Sequence, residues 1–129
     1  MTKQQIDDAP SGLVYTLVVE GPPYGTESAS LAYLFASEAV KEHSVRAVFF
    51  YADGVLNACR GLSPANDEFN LVKAWQKFAK THAVRLVLCE SAGMRRAVTG
   101  PYADEGFEIG SLSDLAVFTS RSDRTVQFK

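Results

Sequence analysis

The sequence predicts an α/β domain, namely a three-layer α/β/α sandwich around a mostly parallel sheet of about five strands. Apolar segments rich in β-branched and aromatic residues, typical of strands buried on both faces, alternate with segments of helical periodicity. The length of 129 residues, with 47% hydrophobic and 22% charged residues, is typical of one globular domain. We expect residues 13–129 to form this domain and residues 1–12 to be a flexible N-terminal extension.

The first three secondary-structure elements are predicted from the pattern of apolar residues. Residues 13–19 are almost continuously apolar, which predicts a strand. Residues 20–25 contain glycines and prolines that end this strand, and Thr26 is placed to cap a helix that ends near Glu42–His43. Residues 45–51 are the second predicted strand. The chain therefore begins with a strand, a helix and a second strand.

The loop at residues 21–26 joins a strand to a helix, where phosphate groups bind in several folds. It is interpreted either as a phosphate-binding loop or as a plain turn. The loop has no lysine of the P-loop type, and its two prolines remove backbone donors that an anion would need. These two features favour the turn.

The second half of the chain continues the alternation of helices and strands. Leu71, Trp75 and Phe78 share one face of a predicted helix and indicate core packing rather than a cofactor site. In order, the sequence predicts a helical turn at 55–59, a helix beginning at 64–66, a strand at 83–88, a loop at 99–106, a helix capped by Ser113-Asp114 and a strand at 124–128.

The composition narrows the class of function. A net charge of −2 without a basic cluster argues against direct nucleic-acid binding. No apolar run is long enough for a membrane helix and the N-terminus has no signal core, so we expect a cytoplasmic protein that does not bind membranes. His43 and His82 have no second ligand at metal-binding spacing, and we predict no metal and no cofactor.

Two cysteines, Cys59 and Cys89, are too few for a disulfide framework, so we expect free thiols. Cys89 follows the apolar residues 86–88 and precedes small residues, a pattern that predicts a thiol at the end of a strand next to a helix start. It is interpreted either as a nucleophile or as a buried structural cysteine. Cys59 precedes a polar loop and is either reactive or a small residue that fills a gap.

Four further residues are candidates for binding around the Cys89 sulfur. Ser91 and Gly93 are candidate backbone donors, and Arg95 and Arg96 either supply positive charge or bind the acidic face of a partner. Glu90 is the residue least expected beside a nucleophilic thiol. Its side chain is expected to point away from Cys89 if the strand continues through it.

Several motifs in one order resemble the TusD/DsrE family of sulfurtransferase subunits, with the TusD branch most similar. The resemblance runs from Leu13 to Phe128 and is carried by the motifs GPPYGT at 21–26, FFYADGV-NA at 49–58, SPANDEFNLVKAWQ at 63–76 and RTVQF at 124–128. It implies a DsrE/DsrF-like fold. Cys59 matches no cysteine of the family, and the loop at 97–106 is shorter than in TusD.

The resemblance also implies a function. Cys89 matches the cysteine that carries a persulfide, and Arg95–Arg96 match the arginine pair beyond it. The implied activity is a sulfur relay for 2-thiolation of tRNA wobble uridine, with a TusA-like donor, a TusE-like acceptor and TusB- and TusC-like subunits in a dimer of heterotrimers. Two alternatives stay open: a DsrE-like carrier in sulfur oxidation, including a homo-oligomer acting alone, and a non-catalytic interaction subunit.

Overall fold

The computed structural model describes residues 12–129, so the predicted extension at 1–12 lies outside the described residues except for Gly12. The sheet has five strands in the order β4-β3-β2-β1-β5, and every neighbouring pair is parallel. This confirms the predicted fold class. The strands are β1 (Val14–Val19), β2 (Ser44–Phe50), β3 (Arg85–Cys89), β4 (Phe107–Gly110) and β5 (Arg124–Phe128).

Helices cover both faces of the sheet. The α-helices are α1 (Ser28–Ala39), α2 (Leu71–His82), α3 (Glu90–Met94) and α4 (Leu112–Ser120), with 3₁₀ segments at Ala52–Ala58 and Gly100–Tyr102. Adjacent residues of β1 show the layering because their side chains point to opposite faces. Tyr15 contacts Phe35 of α1 with ring centroids 5.3 Å apart, whereas the Thr16 hydroxyl donates to the Phe118 carbonyl of α4 at 3.4 Å.

Aromatic side chains fill the core between the sheet and α2. Trp75 and Phe50 are fully buried and form a T-shaped pair, with ring centroids 5.4 Å apart and an interplanar angle of 82°. Leu71 and Phe78 of the same helix are also buried. The prediction that this stripe packs in the core is therefore confirmed.

Three predicted helix starts are wrong. Helix α1 begins at Ser28 after Glu27 and has no side-chain cap, so Thr26 does not cap it, and it ends at Ala39 rather than near Glu42–His43. Helix α2 begins at Leu71 instead of 64–66, and Asn70 caps it by accepting from the Lys73 backbone N–H at 3.0 Å. The predicted start instead forms a turn in which Glu68 accepts from the Ala65 N–H. Helix α4 is capped by Ser111 rather than by Ser113-Asp114. Ser111 and Asp114 form a capping box in which each side chain accepts from the other's backbone.

Two strands differ from the prediction. The third strand begins at Arg85 rather than at residue 83, because Ala83 adopts a left-handed conformation (φ 56°) that ends α2. Strand β4 was not assigned from the sequence. It has only four residues and lies at the edge of the sheet, where Glu108 and Ile109 are exposed, so no alternating pattern marks it.

Candidate functional site

Cys89 is the last residue of β3, and it lies at the carboxyl edge of the sheet between β2 and β4. Ligands bind at this edge in open parallel sheets. Only 2% of the residue is exposed, yet it lines a groove of about 390 Å³. The other residues that line this groove are Tyr51, Glu90, Ser91, Arg95, Gly110, Ser111 and Leu112.

The sequence around Cys89 places its thiol at the floor of this groove, which we call the Cys89 groove. Leu86, Val87 and Leu88 are buried and anchor β3 in the core. The backbone then turns directly into α3, for which Cys89 is the residue before the first helical position. The thiol is therefore held at the end of a buried strand, where it lines the groove.

The strand does not continue through Glu90, which is the first residue of α3. The expectation that the Glu90 side chain points away from Cys89 required a continuous strand, so it does not apply. Glu90 is exposed and lines the same groove as Cys89. A carboxylate at the first turn of a helix interacts favourably with the backbone dipoles there, which explains its position without a contact to sulfur.

The structure separates the two candidate arginines. Arg95 is exposed and lines the Cys89 groove, and it has no ion pair among residues 12–129. Arg96 points elsewhere: its Nε donates to Asp53 Oδ1 at 2.8 Å and its Nη1 to the Ala92 carbonyl at 3.0 Å. Arg95 is thus the cation that a ligand in the groove meets, while Arg96 fixes the backbone of the segment.

Ser91 and Gly93 also have different positions. Ser91 is exposed and lines the Cys89 groove, whereas Gly93 is buried and is not part of the groove lining. A Cβ at Gly93 would lie 2.2 Å from the Val98 carbonyl oxygen, and the Val98 N–H donates to the Gly93 carbonyl at 2.8 Å. The absence of a side chain at Gly93 therefore lets the turn after α3 pack closely.

Besides Glu90, four of the groove residues are not predicted as site residues by the sequence: Tyr51, Gly110, Ser111 and Leu112. Gly110 is the register partner of Cys89 in β4, and Tyr51 directly follows the end of β2. Because β4 has no clear sequence pattern, the segment after it was not placed next to Cys89. The signal available in the sequence was the carboxyl end of β2, which predicts Tyr51 but not the other three.

The other sequence candidates lie away from the Cys89 groove. Cys59 is half-buried in an isolated antiparallel bridge with Ala103. The loop at 21–26 is held by Asn57, whose amide donates to the Gly21 carbonyl at 3.0 Å, and a Cβ at Gly21 would lie 1.7 Å from Ser28 Oγ. This close packing favours the interpretation of the loop as a plain turn.

Two features of residues 12–129 bear on other classes of function. No group of three or more histidine, cysteine, aspartate or glutamate side chains is arranged to hold a metal ion within this range. None of the helices described there has the length and apolar character needed to cross a membrane.

Comparisons with known proteins place this architecture in a family. The family model described as "DsrE/DsrF-like family" matches residues 14–128. Sulfurtransferase TusD of Pectobacterium carotovorum is 44% identical over 128 residues, covering 90% of this chain and 99% of the relative. A sulfurtransferase TusD homolog of Vibrio vulnificus is 46% identical over 130 residues, covering 92% and 99%. The crystal structure of the ychN protein from E. coli superposes with a TM-score of 0.74 at 25% identity, covering 91% of this chain and 100% of that one. The chain belongs to the DsrE/DsrF-like family.

Proposed function

We propose that this protein is a sulfurtransferase subunit that carries a persulfide on Cys89 in the sulfur relay for 2-thiolation of tRNA wobble uridine. The activity class is that of the curated relatives, which are named sulfurtransferases and match this chain almost end to end. The observation that carries the choice of residue is the position of Cys89: it lines the groove at the carboxyl edge of the sheet together with the exposed Arg95.

The transfer consists of two exchange steps that need no cofactor. The Cys89 thiolate attacks the outer sulfur of a donor persulfide, a new S–S bond forms at Cys89, and the donor cysteine leaves as a thiolate. An acceptor thiolate then attacks the outer sulfur on Cys89, and Cys89 leaves as a thiolate. Each step breaks one S–S bond and forms another, so no net oxidation or reduction occurs. The attacking thiol releases its proton, and the leaving thiolate can take one up.

The groove gives room for the sulfur atom that Cys89 receives and later transfers. The cysteine is almost fully buried, whereas a persulfide adds a second sulfur at a bond length of about 2.05 Å. That bond carries the transferable sulfur outward from Cys89 into the groove. Arg95 offers positive charge to the thiolate that forms in each step. The protein thereby protects the inner sulfur and exposes the outer one.

The partners are also part of the proposal. By resemblance to the family, sulfur arrives from a TusA-like donor and leaves to a TusE-like acceptor in the cytoplasm, and the subunit assembles with TusB- and TusC-like proteins as a dimer of heterotrimers. An exposed apolar side chain at the start of α4 supports a protein contact at the groove, since Leu112 lines it and is 54% exposed.

The test is intact-mass analysis after incubation with glutathione persulfide or with a persulfidated TusA-like donor. The wild-type chain is expected to gain one sulfur atom, and Cys89→Ser is expected to gain none. Cys59→Ser is the matched control because it removes the second of the two cysteines and leaves the Cys89 groove intact. It is expected to load like the wild type.

Two outcomes contradict the proposal. Loading of Cys89→Ser combined with loss of loading in Cys59→Ser assigns the carrier to Cys59. If the wild-type protein gains no sulfur from a donor that does load that donor's own acceptor protein, the result favours the alternative of a non-catalytic interaction subunit. Circular dichroism of each variant separates loss of chemistry from loss of fold.

A further inference from the structure

We propose a second ligand site at the opposite edge of the sheet, where a cationic cavity binds a small oxyanion of the phosphate or sulfate type. The cavity has a volume of about 380 Å³ and is bounded by the amino ends of β1, β2 and β3 and by α4. Cys89 lies at the carboxyl end of β3, so this cavity is distinct from the Cys89 groove.

Three arginines line the cavity: Arg46, Arg85 and Arg121. Arg85 is paired with Glu108 through two hydrogen bonds of 3.0 and 2.8 Å. Within residues 12–129, neither Arg46 nor Arg121 has a carboxylate at salt-bridge distance. The described part of the chain therefore leaves two positive charges of the cavity without a neutralising partner.

A distortion of the sheet sets the position of Arg46. The pairing of β1 with β2 shifts between Tyr15, which faces Val45, and Thr16, which faces Ala47. Arg46 is the extra residue of this bulge and has no register partner. Bulges redirect a side chain out of the regular alternation of a strand. Here the redirected side chain lines the cavity next to the first residues of β1 and β3.

One hydrogen-bond donor of the Arg46 guanidinium is unpaired in the described part of the chain. This donor is the Nε atom, which is buried. A buried donor without an acceptor is costly, and native structures satisfy nearly all of them. The Nε atom is shielded from the cavity, so an oxyanion supplies its acceptor by drawing the guanidinium toward the opening, where two donors match two oxygens of a phosphate or sulfate group.

The third arginine of the cavity has partners of its own. The Arg85 guanidinium lies over the Phe118 ring, 5.0 Å from its centroid, and also donates to Glu108. The carboxylate of Asp123 accepts from the N–H of the lining residue Val14 at 2.8 Å, but Asp123 itself does not line the cavity. A ligand thus meets one arginine held by Glu108 and two arginines that have no carboxylate partner within residues 12–129. The volume also admits a small phosphate monoester.

The test is a titration of the full-length protein with inorganic phosphate at constant ionic strength, followed through the side-chain Nε–Hε resonances of arginine. We expect a saturable shift of the Arg46 resonance, with sulfate giving the same response. Arg121→Gln is expected to weaken binding by about tenfold, the effect of losing one charge-assisted hydrogen bond. Glycerol phosphate as a second probe distinguishes a monoester ligand from the free ion.

Arg60→Gln is the matched control, since Arg60 is an exposed arginine outside the cavity and its loss changes the net charge equally. Equal weakening by Arg60→Gln and Arg121→Gln, or a shift that does not saturate, overturns the proposal. If only Arg95→Gln weakens phosphate binding, the anion binds in the Cys89 groove, and this result also overturns the proposal. Sulfur loading of Cys89 is measured separately and does not depend on the result.

Discussion

Arg96 Nε donates to Asp53 Oδ1 across 2.8 Å and thereby joins the segment after β3 to the segment after β2. The Arg96 side chain is 27% exposed and the Asp53 side chain 61%. Such an exposed pair contributes about 1 kcal/mol or less to the free energy of unfolding. Its effect is therefore mainly on position, because Arg96 also holds the Ala92 carbonyl within α3.

The first prediction concerns this ion pair. Asp53→Asn is expected to slow sulfur loading of Cys89 a few-fold, because the α3 segment loses one of its links to β2 and the groove becomes less well ordered. The free energy of unfolding is expected to fall by about 1 kcal/mol or less. Rates of persulfide formation and urea denaturation measure the two effects.

The control for this prediction is Glu38→Gln, which breaks the exposed Lys41–Glu38 pair of 2.7 Å on the other side of the molecule. It is expected to leave the loading rate unchanged. If both variants slow loading equally, the effect of Asp53 is a general effect of charge and not of position.

The second prediction concerns Arg95. Because its side chain is exposed and lines the Cys89 groove, Arg95→Gln is expected to leave the fold intact and to slow loading by about tenfold. Arg95→Lys keeps the charge and is expected to recover most of the rate at low salt. Stopped-flow measurement of loading at several salt concentrations tests this; a rate of Arg95→Gln equal to the wild type would show that the charge is not used.

More of the fold than of the Cys89 groove can be predicted from the sequence. The apolar run at 86–88 marks β3, and therefore the position of Cys89, because burial on both faces leaves a strong pattern. Strand β4 leaves no such pattern, so Gly110 and Leu112 were not placed in the groove. The sequence does not distinguish the roles of Arg95 and Arg96, because the directions of two adjacent side chains depend on the local backbone conformation.

Gly93 leads to a prediction of stability. Gly93→Ala places a Cβ 2.2 Å from the Val98 carbonyl oxygen, and the turn must move to accept it. We expect a loss of about 2 kcal/mol in the free energy of unfolding, typical of overpacking at a close contact. Gly61→Ala is the control because its Cβ meets only Cys59 Sγ at 4.0 Å. Urea denaturation of both variants decides the matter, and equal losses would contradict the steric explanation.

The Arg85–Glu108 pair leads to a prediction of pH dependence. The hydrogen bonds from Arg85 lower the pKa of Glu108 from its ordinary value of 4.5. The pair therefore stabilises the fold above the unfolded pKa, and this contribution is lost as the pH falls through the lower folded pKa. Both side chains are about half exposed, so we expect the contribution at neutral pH to be about 1 kcal/mol or less.

The measurement is the free energy of unfolding of the wild type and of Glu108→Gln from neutral to acid pH. The wild type is expected to be the more stable at neutral pH, and the difference is expected to shrink below pH 4.5. A difference that stays constant across this range would mean that Glu108 acts through packing and not through its charge.

The pairing of β1 with β5 has a consequence for the order in which the sheet is assembled. Tyr15 pairs with Arg124 and Val19 with Phe128, so the inner strand β1 receives its second neighbour from the far end of the domain. During synthesis, β1 keeps an open edge until residues 124–128 have left the ribosome. An apolar strand with an open edge pairs readily with other chains, so association at this stage competes with folding.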